Sequence, residues 1–185
     1  SDDLSQLADR VSDLSLAETE DKLRNGSLID PSFPSVIFGL ETAILDLKHG
    51  GKMKVYNNAF SCGEAPIPIN GLIWMGSAAF MEQQMQKKIE EGFDCIKIKV
   101  GAIDLDVEIA LIKKLREKYS AKEITLRLDA NGAFSFNEAL EILNRLSAFD
   151  IHSIEQPIKA GQWQEMAALC EQSPISIALD EELIG

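Results

Sequence analysis

Several residue types are scarce in this 185-residue chain, and each scarcity excludes a class of protein. Only two histidines are present, so a multi-histidine metal site is excluded and any metal would be held by oxygen ligands. The three cysteines are widely spaced and form no Cys-x-x-Cys motif, so we interpret them as reduced thiols of a cytoplasmic protein. Long apolar runs are absent, which argues against a membrane-spanning segment.

Positive charge is also scarce relative to negative charge. The chain has 30 Asp and Glu residues against 18 Lys and Arg residues, and its net charge is -12. Phosphate backbones and anionic membrane surfaces attract basic proteins, so neither nucleic acid nor a membrane is expected as a partner. A small molecule or a cation fits this charge better.

The first third of the chain is predicted to be helical. Helices are expected over residues 2–11, 17–24 and 35–47, and the last of these ends at His49-Gly50-Gly51. Residues 61–68 contain glycine and two prolines and predict an extended connector. We therefore expect a helical domain over residues 1–64 and a second domain over residues 65–185.

Strands and helices alternate in the second domain. Strands are predicted over 67–74, 95–100, 124–128, 151–154 and 175–179, and helices over 78–91, 106–119, 137–146 and 163–170. This alternation implies parallel strands with helices outside the sheet. Two α/β architectures fit: a doubly wound open sheet, or a partial (β/α) barrel that contains strands 1–5.

Polar residues recur at the carboxyl ends of the predicted strands, where parallel α/β folds place their chemistry. They are Lys97 and Lys99 on the second strand, Arg127, Asp129 and Asn131 on the third, Glu155 on the fourth and Asp180 on the fifth. Asp129, Glu155 and Asp180 are separated by 26 and 25 residues, about one βα unit each time. We therefore expect the three carboxylates at the same level of neighbouring strands.

The types of these residues indicate a metal site. Side chains two apart on a strand share a face, so in a barrel Lys97 and Lys99 point inward, as do Arg127, Asp129 and Asn131. Three ionised carboxylates would repel one another unless a cation joins them, and Mg²⁺ prefers such hard oxygen ligands. Each acid alone could simply cap the next helix, but three at one level beside a Lys-x-Lys pair favour a metal.

Two lysines beside such a site indicate proton transfer. A lysine acts as a base only when its neutral form is favoured, and neighbouring cations favour that form. Lys97 and the metal would act in this way on Lys99, which lies nearer the carboxyl end of its strand. Trp74 and Met75, at the end of the first strand, could line a pocket, but we favour their interpretation as core residues.

Together these residues resemble the enolase superfamily and, within its muconate-lactonizing subgroup, the o-succinylbenzoate synthase family. The motifs are Lys97-Ile-Lys99, Arg-Leu-Asp-Ala-Asn-Gly at 127–132, Ser-Ile-Glu-Gln-Pro at 153–157 and Leu-Asp-Glu-Glu-Leu-Ile-Gly at 179–185. The resemblance covers about residues 34–185. It implies a modified TIM barrel preceded by an N-terminal capping domain, of which residues 1–64 would be a helical remnant.

The resemblance also implies a chemistry: a Mg²⁺-dependent lyase (dehydratase) of menaquinone biosynthesis, with Mn²⁺ as an alternative metal and a small-molecule carboxylate as substrate. The implied roles are metal ligand for Asp129, Glu155 and Asp180, base and proton donor for Lys99, tuning of that base for Lys97, and ordering of the ligands for Arg127 and Asn131. Lys99 would remove the proton next to the substrate carboxylate to give a metal-stabilised enediolate. A hydroxyl would then leave, and the substrate ring would become aromatic.

Three alternatives stay open. A dipeptide epimerase or N-acylamino acid racemase of the same superfamily would need a second lysine on the substrate face opposite Lys99. A non-enzymatic, doubly wound acidic module that binds Mg²⁺ would need paired acids at the end of the first strand, where the chain has Trp74-Met75-Gly76. A catalytically inactive scaffold fragment is the third alternative.

A closed barrel of this type takes eight strands and about 250 residues, and only five strands are predicted here. We therefore expect these residues to be part of a longer enzyme, inactive alone, whose second catalytic lysine lies beyond residue 185. Because open strand edges invite pairing, a homo-oligomer is one way to cover them.

Overall fold

The structure, a computed structural model, describes the backbone of residues 2–184 and the side chains of residues 5–184. The chain divides into two compact units, one up to Ile67 and one from Pro68 to Ile184. None of the helices over the described residues is long and apolar enough to cross a bilayer. The three cysteines are free thiols, as the sequence predicts.

The first unit is helical, with α1 (Asp2–Ser12), α2 (Leu16–Arg24) and α3 (Pro34–Lys48). Ser15 and Glu18 form a reciprocal capping box that begins α2, because each side chain satisfies a backbone N–H of the other residue. The His49 ring nitrogen Nδ1 lies 2.8 Å from the Leu45 carbonyl oxygen, at the end of α3. The described part of this unit has a buried hydrophobic cluster of Leu23, Leu28, Ile29 and Ile44.

The second unit alternates strands and helices as predicted. The strands are β1 (Gly71–Ile73), β2 (Cys95–Lys99), β3 (Thr125–Asp129), β4 (Ile151–Glu155) and β5 (Ser176–Ala178). The helices are α4 (Ala78–Glu90), α5 (Leu105–Lys118), α6 (Phe136–Leu146) and α7 (Trp163–Gln172), with short 3-10 turns at Ser147–Phe149 and Glu181–Leu183.

The sheet distinguishes between the two candidate architectures. All four strand pairs are parallel, and the spatial order β1-β2-β3-β4-β5 is the order along the chain. A doubly wound sheet reverses its strand order at a switch point, and no reversal occurs among these strands. The unit is therefore five successive strands of a (β/α) barrel, in a sheet that is not closed, and the doubly wound alternative is wrong.

One face of this sheet carries the hydrophobic core. Alternate strand residues such as Ile96, Ile98, Leu126, Leu128 and Ile154 are buried and pack with apolar side chains of α4–α7. The intervening residues point to the opposite face, because side chains alternate along a strand. That second face is partly exposed, and it carries the charged side chains of β2, β3 and β4.

The predicted bounds differ from the observed ones by at most two residues, except in β1. The first strand was expected over 67–74, whereas β1 contains only residues 71–73. Pro68 has no backbone N–H to donate to a neighbouring strand, and Ile67 and Ile69 are 55% and 73% exposed. Apolar character at those positions therefore does not reflect pairing in the sheet.

Candidate active site

Strand pairing aligns three of the predicted site residues. Lys99 is the register partner of Asp129 in the β2–β3 pair, and Asp129 is the register partner of Glu155 in the β3–β4 pair. A shift between Leu126 and Arg127 in the β3–β4 register precedes this alignment. The expected common level is therefore present across β2, β3 and β4.

Asp180 departs from that level. Glu155 pairs with Ala178, the last residue of β5, so Asp180 lies two residues beyond its expected position. The strand has ended by then, and Asp180 precedes the 3-10 turn Glu181–Leu183 with φ -132° and ψ -80°. Its side chain is exposed. Equal spacing along the chain did not produce an equal level because paired residues of β4 and β5 are 23 positions apart, from Glu155 to Ala178, whereas Asp180 follows Glu155 by 25.

The lysines and two of the carboxylates form one ionic network. Lys97 Nζ donates to both carboxylate oxygens of Glu155 at 2.7 Å and lies 3.0 Å from Asp129 Oδ2. Lys99 Nζ donates to the same Asp129 oxygen at 2.8 Å. The Asp129 side chain is 1% exposed, whereas those of Lys97 and Lys99 are 19% and 14% exposed. The shared oxygen places both ammonium groups at one carboxylate.

The network shifts the proton affinities of two members. Burial lowers the pKa of Lys97, but hydrogen bonds and charge from Glu155 and Asp129 outweigh burial, and the net shift is upward. Burial raises the pKa of Asp129, but hydrogen bonds from Lys99 and Lys97 outweigh it, and the pKa lies below its usual value. Both shifts favour the charged forms, so the network is held together by ion pairing.

Asn131 extends this network to the segment after β5. Its backbone N–H donates to Asp129 Oδ1 at 3.1 Å, and its Oδ1 accepts from Lys99 Nζ at 2.6 Å. Its Nδ2 donates to Glu181 Oε1 at 3.0 Å. A backbone φ of +44° aims the side chain into the network, and asparagine tolerates this left-handed conformation better than most residues. The other Glu181 oxygen, Oε2, is buried and has no hydrogen-bond partner among the described residues.

Gln156, which the sequence did not single out, links β4 to the same segment. The side chain is fully buried, and its Oε1 accepts from the backbone N–H groups of Asp180 at 3.1 Å and Glu182 at 3.4 Å. Its Nε2 donates to the Ile158 carbonyl at 3.0 Å. The backbone of Asp180 is therefore held from β4, even though its side chain is exposed.

Trp74 was interpreted as a core residue, and that interpretation is wrong. The side chain is 56% exposed, and its ring lies under the Lys99 ammonium, with 5.6 Å between Nζ and the ring centroid. Met75 is also exposed, at 40%. The signal in the sequence was position, since Trp74 directly follows the buried end of β1 and therefore lies at the carboxyl edge of the sheet.

Arg127 lies one step below the network. It is the register partner of Lys97 and of Ser153, two residues before the level of Asp129 and Glu155. The side chain is exposed and, within the described part of the chain, forms no hydrogen bond with Asp129, Glu155 or Asp180. Among the described residues, no hydrogen bond supports the role in ordering the metal ligands that the resemblance implies for Arg127.

Part of this arrangement suits a divalent cation. Asp129 and Glu155 present oxygens to a single ammonium, so their carboxylates already converge on one small volume. The buried Glu181 Oε2, to which no group in the described part of the chain donates a hydrogen bond, adds a further oxygen. Among the residues with described side chains, no three acidic, histidine or cysteine side chains are grouped as a metal site. Oxygen ligands of this kind are those that Mg²⁺ prefers. The carboxylates of Asp129 and Glu155 converge, whereas Asp180 lies beyond the end of β5.

A parallel sheet in chain order, with charged side chains gathered at the carboxyl ends of its strands, defines a domain of the (β/α)-barrel class. Residues 80–185 match the enolase C-terminal domain-like family, and the chain belongs to that family.

Similar proteins narrow the relationship. An o-succinylbenzoate synthase from Desulfotalea psychrophila is 55% identical over 156 residues, which cover 84% of this chain and 42% of the relative. The crystal structure of MenC from Desulfotalea psychrophila has a TM-score of 0.73 at 41% identity and covers 99% of this chain and 57% of that chain. An o-succinylbenzoate synthase from Thermosynechococcus elongatus, complexed with Mg in the active site, has a TM-score of 0.58 at 31% identity, covering 65% of this chain and 38% of that one. The chain thus spans about half the length of these relatives.

Proposed function

We propose that this chain carries the base and metal-binding part of a lyase of the o-succinylbenzoate synthase type, acting in menaquinone biosynthesis. The observation that carries the proposal is the ionic network at the carboxyl ends of β2–β4, in which Lys99, Asp129 and Glu155 share one level. Sequence identity of 55% to a synthase supports this reaction over the epimerase alternative.

In the proposed reaction, Lys99 is the base that removes the proton next to the substrate carboxylate, and it later returns a proton to the leaving hydroxyl. Its ammonium lies at the carboxyl end of β2, where Asn131 and Asp129 orient it. Lys97 offsets the negative charge of Glu155 and Asp129. The residues that would hold Mg²⁺ or Mn²⁺ are Asp129, Glu155 and Asp180. The metal would supply positive charge for the charge that develops on the substrate carboxylate.

We place this enzyme in the cytoplasm, because its cysteines are free thiols, and assign it a small-molecule carboxylate as substrate. We further propose that the first unit is the remnant of a capping domain, since its helices precede the barrel strands in the chain.

The metal ligands are tested by titration calorimetry with Mg²⁺ and Mn²⁺. Asp129→Asn, Glu155→Gln and Asp180→Asn should each weaken binding at least tenfold, because each removes a charged oxygen ligand. Glu171→Gln, at an exposed acid on α7, is the matched control and should bind as the parent does. Unchanged affinity in all three variants would remove the metal assignment.

The base is tested by exchange of the substrate's acidic proton with deuterated solvent, followed by NMR in the full-length enzyme. Lys99→Ala should abolish exchange and leave metal binding measurable. Lys118→Ala, at the last residue of α5, where the ammonium lies over the Tyr119 ring, should leave the exchange rate unchanged. Exchange that persists in Lys99→Ala would move the role of base to another residue.

A further inference from the structure

The Lys99 ammonium has a neighbour that the proposed reaction leaves without a role. An ammonium has three N–H donors, and two of those of Lys99 are accounted for by Asp129 Oδ2 at 2.8 Å and Asn131 Oδ1 at 2.6 Å. The remaining side of the group faces the Trp74 ring, 5.6 Å from the centroid. Indole is the aromatic side chain that attracts a cation most strongly, and this separation is within the range of a cation–π contact.

Hydrogen bonds hold the backbone of Trp74 in place. Although β1 ends at Ile73, the Gln84 side chain on α4 continues the pairing: its Oε1 accepts from the Trp74 N–H at 3.1 Å, and its Nε2 donates to the Trp74 carbonyl at 2.9 Å. Both backbone polar groups of Trp74 are thus satisfied by one amide. The Ile73 side chain immediately before it is fully buried. Together these contacts fix the position of the Trp74 Cα, from which the exposed indole extends.

The residues that contact Lys99 differ in whether they have a second role in the site. Asp129 also binds Lys97, and it is a proposed metal ligand, so its oxygens are shared. Trp74 has no charge and no lone pair for a metal, so it does not compete for that role. The ring therefore offers the protonated Lys99 amine a contact that does not use the oxygens proposed to hold the metal.

We propose that Trp74 is a positioning residue for Lys99: its ring face holds the ammonium at the substrate side of the site. The position of the amine rests on Trp74 and Asn131 together, one from each neighbouring strand end. About half of the Trp74 side chain is exposed, but in this proposal the ring contacts Lys99 and does not bind the substrate.

The first test uses tryptophan emission and needs no substrate or metal. Residues 1–185 contain two tryptophans, Trp74 and Trp163, so a Trp163→Phe background of the full-length enzyme leaves Trp74 alone in this part of the chain. Subtracting the spectrum of a Trp74→Phe variant in the same background isolates the emission of Trp74, which a charge a few ångströms from the ring alters. Lys99→Gln, which keeps N–H donors for Asp129 but removes the charge, should change the emission maximum or intensity. Lys118→Gln is the control, since that lysine lies over Tyr119 instead. Unchanged emission in Lys99→Gln, with folding verified by circular dichroism, would overturn the proposal.

The second test rests on the proposed function and uses the proton-exchange assay. Trp74→Leu should lower kcat for exchange about threefold with little change in KM, the loss expected for an exposed cation–π contact. Trp74→Phe should recover part of that loss because a ring face remains. Trp163→Leu, at the other exposed tryptophan, should leave both constants unchanged.

The outcomes separate the two proposals. A rise in KM at constant kcat would mean that Trp74 contacts substrate, and it would overturn the positioning role. Equal losses in Trp74→Leu and Trp74→Phe would also overturn it. If the parent enzyme shows no exchange at all, the proposed function fails, and the emission test alone decides the role of Trp74.

Discussion

Replacing Gln156 by methionine should destabilise the second unit by about 2–5 kcal/mol. Methionine has nearly the same length and shape, so the change removes hydrogen bonds with little change in volume. Two bonds with good geometry would be lost, at 3.1 Å from the Asp180 N–H and 3.0 Å to the Ile158 carbonyl. Leaving a buried polar group without its partner costs about 1–3 kcal/mol each. Since Gln156 and Ile158 are fully buried, water does not replace the partner of the Ile158 carbonyl, whereas the half-buried Asp180 N–H costs less than the upper end of this range.

The assay is urea unfolding of the metal-free protein, which gives the free energy of unfolding of parent and variant. A loss of this size is a large share of the roughly 5–15 kcal/mol that stabilises a domain. Amide hydrogen exchange supplies a local readout, because the backbone N–H groups of Asp180 and Glu182 should exchange faster in the variant.

Gln172 provides a matched control. Its side chain also donates to a backbone carbonyl, that of Ala168 at 3.1 Å, but it is exposed, so Gln172→Met should change the free energy by less than about 0.5 kcal/mol. A loss below about 1 kcal/mol in Gln156→Met, or equal losses in the two variants, would refute the reasoning that buried hydrogen bonds hold this segment.

Three further predictions concern the second unit. Lys97→Met leaves Asp129 and Glu155 without their shared cation and should lower the free energy of unfolding by about 1–2 kcal/mol in urea titrations without metal. The expected loss is smaller than for a fully buried ion pair because the Lys97 side chain is 19% exposed. An unchanged free energy of unfolding would contradict the ionic network. Leu143→Ala, at a fully buried position of α6, should cost about 2–5 kcal/mol by the same measurement, whereas a cost below about 1 kcal/mol would place Leu143 outside the core. Burial raises the pKa of Glu108 by more than the hydrogen bonds from the backbone of residues 101–103 lower it, so the net shift is upward. Ionised Glu108 therefore destabilises the fold at neutral pH. This penalty is relieved as the pH falls through the raised pKa of the folded state toward the ordinary value of 4.5. The stability of the parent relative to Glu108→Gln should therefore improve on acidification through that window, and a difference that does not vary with pH would contradict the shift.

The sequence by itself determined the alternation of elements and the level of three site residues. Apolar periodicity and glycine-containing boundaries located the helices and strands to within two residues, apart from β1, because those signals are local. Lys99, Asp129 and Glu155 share a level, as their positions at the carboxyl ends of the predicted strands indicated. The residue types at those positions then indicated the chemistry.

Tertiary structure decided what spacing could not. Asp180 follows Glu155 by the expected interval, but β5 ends at Ala178, and the buried Gln156 holds the segment beyond it. The register between two strands depends on the loops and helix that join them, which the apolar pattern of one strand does not encode.

Trp74 shows the same limit from the other direction. Its apolar character suggested burial, yet hydrophobic side chains at the end of a strand can be exposed, and here Gln84 on α4 fixes the backbone that places the ring beside Lys99. A contact between residues 74 and 99 needs two strand ends and one helix to meet, and only the folded chain brings these three elements together.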